Sequence, residues 1–170
     1  MIRAATLAMT LFCSAAVNAQ EDPFGFMPDG GRGSFELVFA DAAERAWALD
    51  QVKTVGEWQD VIAARTPELG QAARETLAAY LSVIAPLAGG PSVTLPLDGR
   101  DIALAQCMSC HSLFTGYLMQ RRDRTAWLST FASPFHQVIE LTPDEREIFA
   151  DYSAINMPMR PEEVPPALRY

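Results

Sequence analysis

The sequence predicts an all-α protein. Apolar residues recur at intervals of three and four in several runs, Thr-Pro pairs stand where two of those runs begin, and no alternation of strands and helices is visible. Hydrophobic residues make up 49% of the chain and charged residues 20%, a globular composition rather than a disordered one. A length of 170 residues suits one domain or two small ones.

The N-terminus is set apart from the fold. Met1-Ile2-Arg3 carries a positive charge, the run from Ala4 to Val17 is mostly small or apolar, and Val17-Asn18-Ala19 fits the small-residue cleavage rule. Residues 1–19 are therefore expected to be a secretory signal, which makes the mature chain periplasmic or otherwise exported. The run falls short of the roughly 20 apolar residues that a bilayer span needs, so no membrane span is expected after cleavage. Cys13 leaves with the signal, and Thr10-Leu11-Phe12 lacks the small residue that lipoprotein processing wants. Only Cys107 and Cys110 remain, which excludes a disulfide framework beyond that pair.

Residues 20–34 are rich in glycine and proline and read as a flexible leader. Helical patterning begins near Phe35, where Leu37, Val38, Ala40, Ala43, Ala46 and Trp47 make a broad apolar face. Thr54 to Trp58 opens a short helix ending near Arg65. Thr66-Pro67 reads as an N-cap with proline at the first helical position, leading into Leu69, Ala73, Leu77, Tyr80, Leu81 and Ile84. Pro86 and Gly89-Gly90-Pro91 stop that helix, so 35–88 forms one helical unit and 89–97 a linker. A second unit, 98–159, opens on Asp98-Gly99-Arg100-Asp101 and holds a helix around Thr125 to Phe131. It closes with a helix that starts in the capping box Thr142-Pro143-Asp144-Glu145 and carries Ile148, Phe149, Tyr152 and Ile155 on one face. The proline-rich tail 160–170 reads as extended.

The two units are alike. Trp58 and Trp127 are 69 residues apart, and Tyr80 and Tyr152 are 72 apart within the similar runs Leu77 to Ser82 and Phe149 to Ala154. Self-similarity at a near-constant period points to a duplicated unit. Shifted back by the tryptophan spacing, the second unit's Cys107 to His111 falls on Val38 to Ala42, which holds neither cysteine nor histidine. One cofactor per chain is expected, not two.

Charge bounds the partners. The chain has 13 Lys+Arg against 21 Asp+Glu, a net −8, and loss of Arg3 with the signal makes it −9. Nucleic acid and anionic membrane surfaces are poor partners, because phosphate binding needs a basic footprint. A redox protein with a basic docking surface suits the charge better. Arg121-Arg122-Asp123-Arg124 is the local exception, read as a solvated loop or as a neutralising or docking patch.

Cys107-Met108-Ser109-Cys110-His111 carries the chemistry. Two cysteines separated by two residues and followed by histidine form the c-type heme attachment pattern. One short turn then presents two sulfurs to the ring edge, and the next residue offers its imidazole to the iron. A redox-active dithiol would need a thioredoxin-like setting. A zinc site would have to use Cys107, Cys110, His111 and His136, with His111 awkwardly adjacent to Cys110. Through these residues, Trp127 and the closing run Thr142 to Asn156, the stretch 98–156 resembles the c-type cytochromes. It is most similar to the small cytochrome subunits of bacterial periplasmic dehydrogenases.

The resemblance implies a cytochrome c-like fold around one covalent heme c, with Cys107 and Cys110 as anchors and His111 as proximal ligand. It implies one-electron transfer between a redox donor and acceptor rather than enzymatic catalysis. A heme enzyme, a small-ligand sensor with an open iron position and a subunit of a dehydrogenase or oxidase complex are the competing readings. For the distal ligand the candidates are His136, which lies where such domains place it, Met157 and Met159 with their Met-Pro pairing, and Met119. Tyr117, Phe114, Trp127, Phe131 and Phe149 are the expected pocket walls.

Overall fold

Helix formation follows the caps. The computed structural model describes residues 22–89 and 93–170, so the expected signal peptide and the Gly90-Pro91 part of the linker lie outside the described residues. Seven α-helices stand there and no strand: α1 Gly31–Val38, α2 Ala42–Leu49, α3 Val55–Arg65, α4 Gln71–Ile84, α5 Gly99–Gln106, α6 Arg124–Leu128 and α7 Pro143–Asn156. Thr54, Asp98 and Thr142 each complete a capping box with the acidic residue three positions on, which satisfies backbone N–H groups that a helix start leaves orphaned. No helix among the described residues is long and apolar enough to cross a membrane.

Four local readings are revised. The segment read as leader is ordered by packing: Met27 is buried, Arg100 pairs with Asp22 at 2.5 Å, and α1 begins at Gly31 rather than near Phe35. The single apolar face from Phe35 to Trp47 is two helices. Asp41 accepts the Glu44 N–H at 2.8 Å and starts a new one, leaving Leu37 exposed. Thr66 caps the end of α3 instead of opening α4, which starts after Gly70, because the Leu69 N–H folds back on the Thr66 carbonyl in a turn. The tail is coiled into the 3₁₀ turns Pro161–Glu163 and Pro166–Leu168, with Val164 buried.

The two units repeat one set of contacts. α4 packs along α7, α1 along α4, and α5 along α7. Gly31 lies so close to the Tyr80 ring, and Gly99 to Tyr152, that neither glycine has room for a Cβ. The Tyr80 hydroxyl donates to the Pro96 carbonyl at 2.6 Å, and the Tyr152 hydroxyl to Pro28 at 2.7 Å. The Leu87 N–H donates to Leu49 at 2.8 Å and the Met159 N–H to Leu118 at 2.9 Å. Arg74 donates to Leu69, and Arg146 to Leu141. Lys53 lies 6.0 Å over Trp58, and Arg122 5.0 Å over Trp127. Both units even share a cis X-Pro bond, Ala85-Pro86 and Met157-Pro158.

The spacing of these pairs locates the differences. It is 68 for the glycines, 69 for Leu49 and Leu118 and for the tryptophans, and 72 for Leu69 and Leu141 onward. The second unit is therefore one residue longer between Gly99 and Leu118, and three longer between Trp127 and Leu141.

Candidate functional site

α5 delivers the cysteines. Asp98 holds its start and Ile102 and Ala103 bury its inner face, after which the chain tightens into the 3₁₀ turn Cys107–Ser109. Both thiols are free, Cys107 half-buried and Cys110 exposed. Burial pushes the Cys107 thiol up to about 12, so it keeps its proton at neutral pH.

His111 is set by the turn that follows. A π-helical turn, Phe114–Leu118, brings Gly116 behind it, where a Cβ would lie 2.8 Å from the His111 Cβ. Only glycine leaves this imidazole its place.

In front of His111 is a cavity of about 520 Å³, within the ordinary range for small-molecule sites. Tyr117, Trp127, Phe131 and Phe149 form its floor, packed on one another with ring centres 5.3–5.8 Å apart. Tyr117 is fully buried, shares a 2.8 Å hydrogen bond with Ser153, and is held in its neutral form by burial. Phe114, expected as a wall, packs on the core outside the cavity lining.

His136 lines the same cavity as His111. The ring centres are 6.0 Å apart and the planes inclined at 43°. The residue sits in the segment that is three residues longer in the second unit, in successive turns in which its N–H donates to Ser133 at 2.9 Å and its carbonyl accepts from Ile139 at 3.1 Å. Its Nδ1 is buried and has no hydrogen-bond partner among the described residues.

The methionines are placed elsewhere. Met157 caps the end of α7, and Met159 is tied to Leu118; both are buried and neither lines the cavity. Met159 instead borders a separate hollow with Met27 and Pro28 of the N-terminal segment. Met119 packs against the core outside the lining. Arg122 was legible only as part of a charge run. It lines the cavity, held by Thr130 at 2.7 Å and the Ala126 carbonyl, while Arg124 is tied to Glu147 and, at 2.6 Å, to Asp151. Phe135 and Val138, 88% and 82% exposed, stand at the rim and were missed, because nothing in their local pattern marks them.

No family model, curated protein or solved structure matches this chain. The site must be judged on its own geometry.

That geometry admits a heme. Among the described residues no group of three or more His, Cys, Asp or Glu side chains is arranged to hold a bare metal ion, which argues against zinc on Cys107, Cys110, His111 and His136. Two imidazoles lining one apolar cavity, the buried Nδ1 of His136 without a partner among the described residues, suit an iron whose other ligands come from a macrocycle.

Proposed function

We propose that the chain holds one covalent heme c in this cavity and serves as an exported one-electron carrier. The observation that carries the reading is a pair of imidazoles with ring centres 6.0 Å apart, lining one aromatic cavity together with two free thiols. Cys107 and Cys110 would anchor the ring as thioethers, sulfur and hydrogen adding across a vinyl group with no oxidant consumed. His111 would be the proximal ligand and His136 the distal one. The methionine alternatives lose support because Met157 and Met159 are buried outside the cavity lining, Met159 beside Met27 and Pro28.

Bound there, the heme supplies an Fe(III)/Fe(II) couple. Around it, the aromatic floor would lower the local dielectric and exclude water, and His111 and His136 would hold the iron. A filled sixth position favours a carrier over a peroxidase-type enzyme or gas sensor. Two histidines also imply a lower potential than a Met/His pair. The chain's net −8 suits donor and acceptor proteins with basic surfaces, and the recurring contacts support a duplicated unit whose first copy carries no cofactor.

The test is an optical and near-infrared spectrum of oxidised and reduced protein with an iron count. One heme c per chain with bis-histidine features is expected. Absence of covalent heme sinks the reading, and rapid carbon monoxide binding to the reduced protein at neutral pH would replace the carrier with a ligand-binding function.

A further inference from the structure

We infer that the first unit is a built-in scaffold that holds the walls of the cofactor cavity in place before anything is bound there. This rests on the proposed role of Cys107 and Cys110 as the attachment site. It goes beyond that role by giving the cofactor-free half a function.

The first unit closes its own interior. Phe39, Trp58, Ile62, Leu77 and Leu81 are all fully buried. Trp47 packs edge-on against Trp58 with ring centres 6.2 Å apart, and the Arg65 guanidinium lies 5.0 Å over both Phe39 and Trp47. Such an interior needs no ligand to be dense, whereas the second unit has a cavity of about 520 Å³ beside its buried Tyr117, Trp127 and Phe149.

The closed half grips the two helices that frame the open one. On α7, the Tyr152 hydroxyl reaches back 124 residues to Pro28 and the Asn156 amide donates to Thr76 at 2.9 Å. On α5, the buried Asp98 carboxylate accepts the Asp101 N–H at 2.9 Å and also the Arg32 N–H in the first turn of α1 at 3.0 Å, so one side chain caps two helix starts. Arg32 and Asp101 add a 2.8 Å ion pair. Tyr80 holds Pro96, just before α5, at 2.6 Å. These contacts make no use of the cavity, so they persist whether or not it is filled.

The test uses the full-length chain made unable to attach heme by Cys107→Ser and Cys110→Ser, followed by heat unfolding and amide hydrogen exchange. A single cooperative transition is expected, with amides of α5 and α7 protected by about a hundredfold or more over an open chain. Adding Trp58→Ala, which touches only the first unit's core, is expected to remove protection from α5 and α7 together with α3 and α4. The inference is overturned if the heme-free chain shows no cooperative transition or if α5 and α7 exchange as an open chain while α3 and α4 stay protected. It is equally overturned if Trp58→Ala leaves α5 and α7 unchanged. None of these readouts depends on whether the wild-type chain carries heme, so failure of the scaffold and failure of the heme reading are told apart.

Discussion

Two residues before the matched carbonyls of Leu49 and Leu118 stand Trp47 in the first unit and Gly116 in the second. The tryptophan, 39% exposed, lies against Trp58 and Phe39 at the edge of the first unit's core; the glycine leaves room for His111 to stand beside an open cavity. Everything that frames these positions recurs: the glycine–tyrosine packing, the crossed tyrosine hydroxyls, the cation over each tryptophan. The extra residues of the second unit fall in the two segments that bring His111 and His136 to the cavity. One frame thus supports two interiors, and the difference lies in a few side chains and four inserted residues.

The largest expected effect comes from erasing that difference. Gly116→Trp should abolish covalent heme incorporation, since even a Cβ at this position is 2.8 Å from that of His111; heme staining of the purified chain measures it. Full incorporation in this variant would mean that the cavity tolerates the residue that stands at this place in the first unit.

Next come the axial candidates. His136→Ala should leave heme attached but convert its spectrum to one with an open or replaced sixth ligand. Met159→Ala should leave the spectrum unchanged and cost about 2–3 kcal/mol of stability in denaturant unfolding, as buried methionine truncations do. The reverse pattern would move the distal ligand to the C-terminal end of α7.

The tyrosine pair sharpens the symmetry. Tyr80→Phe and Tyr152→Phe each remove one hydrogen bond to a carbonyl of the other unit and should each cost about 1 kcal/mol, within a few tenths of each other. A large inequality would show that one latch is incidental.

The smallest effect concerns the thiols of heme-free protein. At pH 8 a thiol reagent should label exposed Cys110 well ahead of Cys107, whose thiol is pushed up to about 12 by burial and gains thiolate only as the pH rises toward that value. Equal labelling at pH 8, followed by peptide mapping, would show that Cys107 is not enclosed.

The frame was partly legible in the sequence for local reasons. The capping boxes at Thr54 and Thr142, and the periodic run from Leu77 to Ile84, specify their own helices through residues three and four positions apart. Thr66-Pro67 carried the same signal and misled, because a turn through Leu69 won over a helix start. Cys107, Cys110 and His111 could be singled out because their spacing spans one turn. The choice among His136, Met157 and Met159 could not, since ligand type and distance along the chain were equally suitable for all three.

The chain's order of residues by itself determined the helical class and the position of the cysteine pair with its histidine, both set by neighbours within one or two turns. Tertiary structure alone decided that His136 comes within 6.0 Å of His111, that the glycine-rich segment before α1 is tied down, and that Met159 packs away from the cavity. Those outcomes depend on groups brought together across as many as 124 residues, such as Tyr152 and Pro28. Packing selects such pairs only once the whole frame has closed.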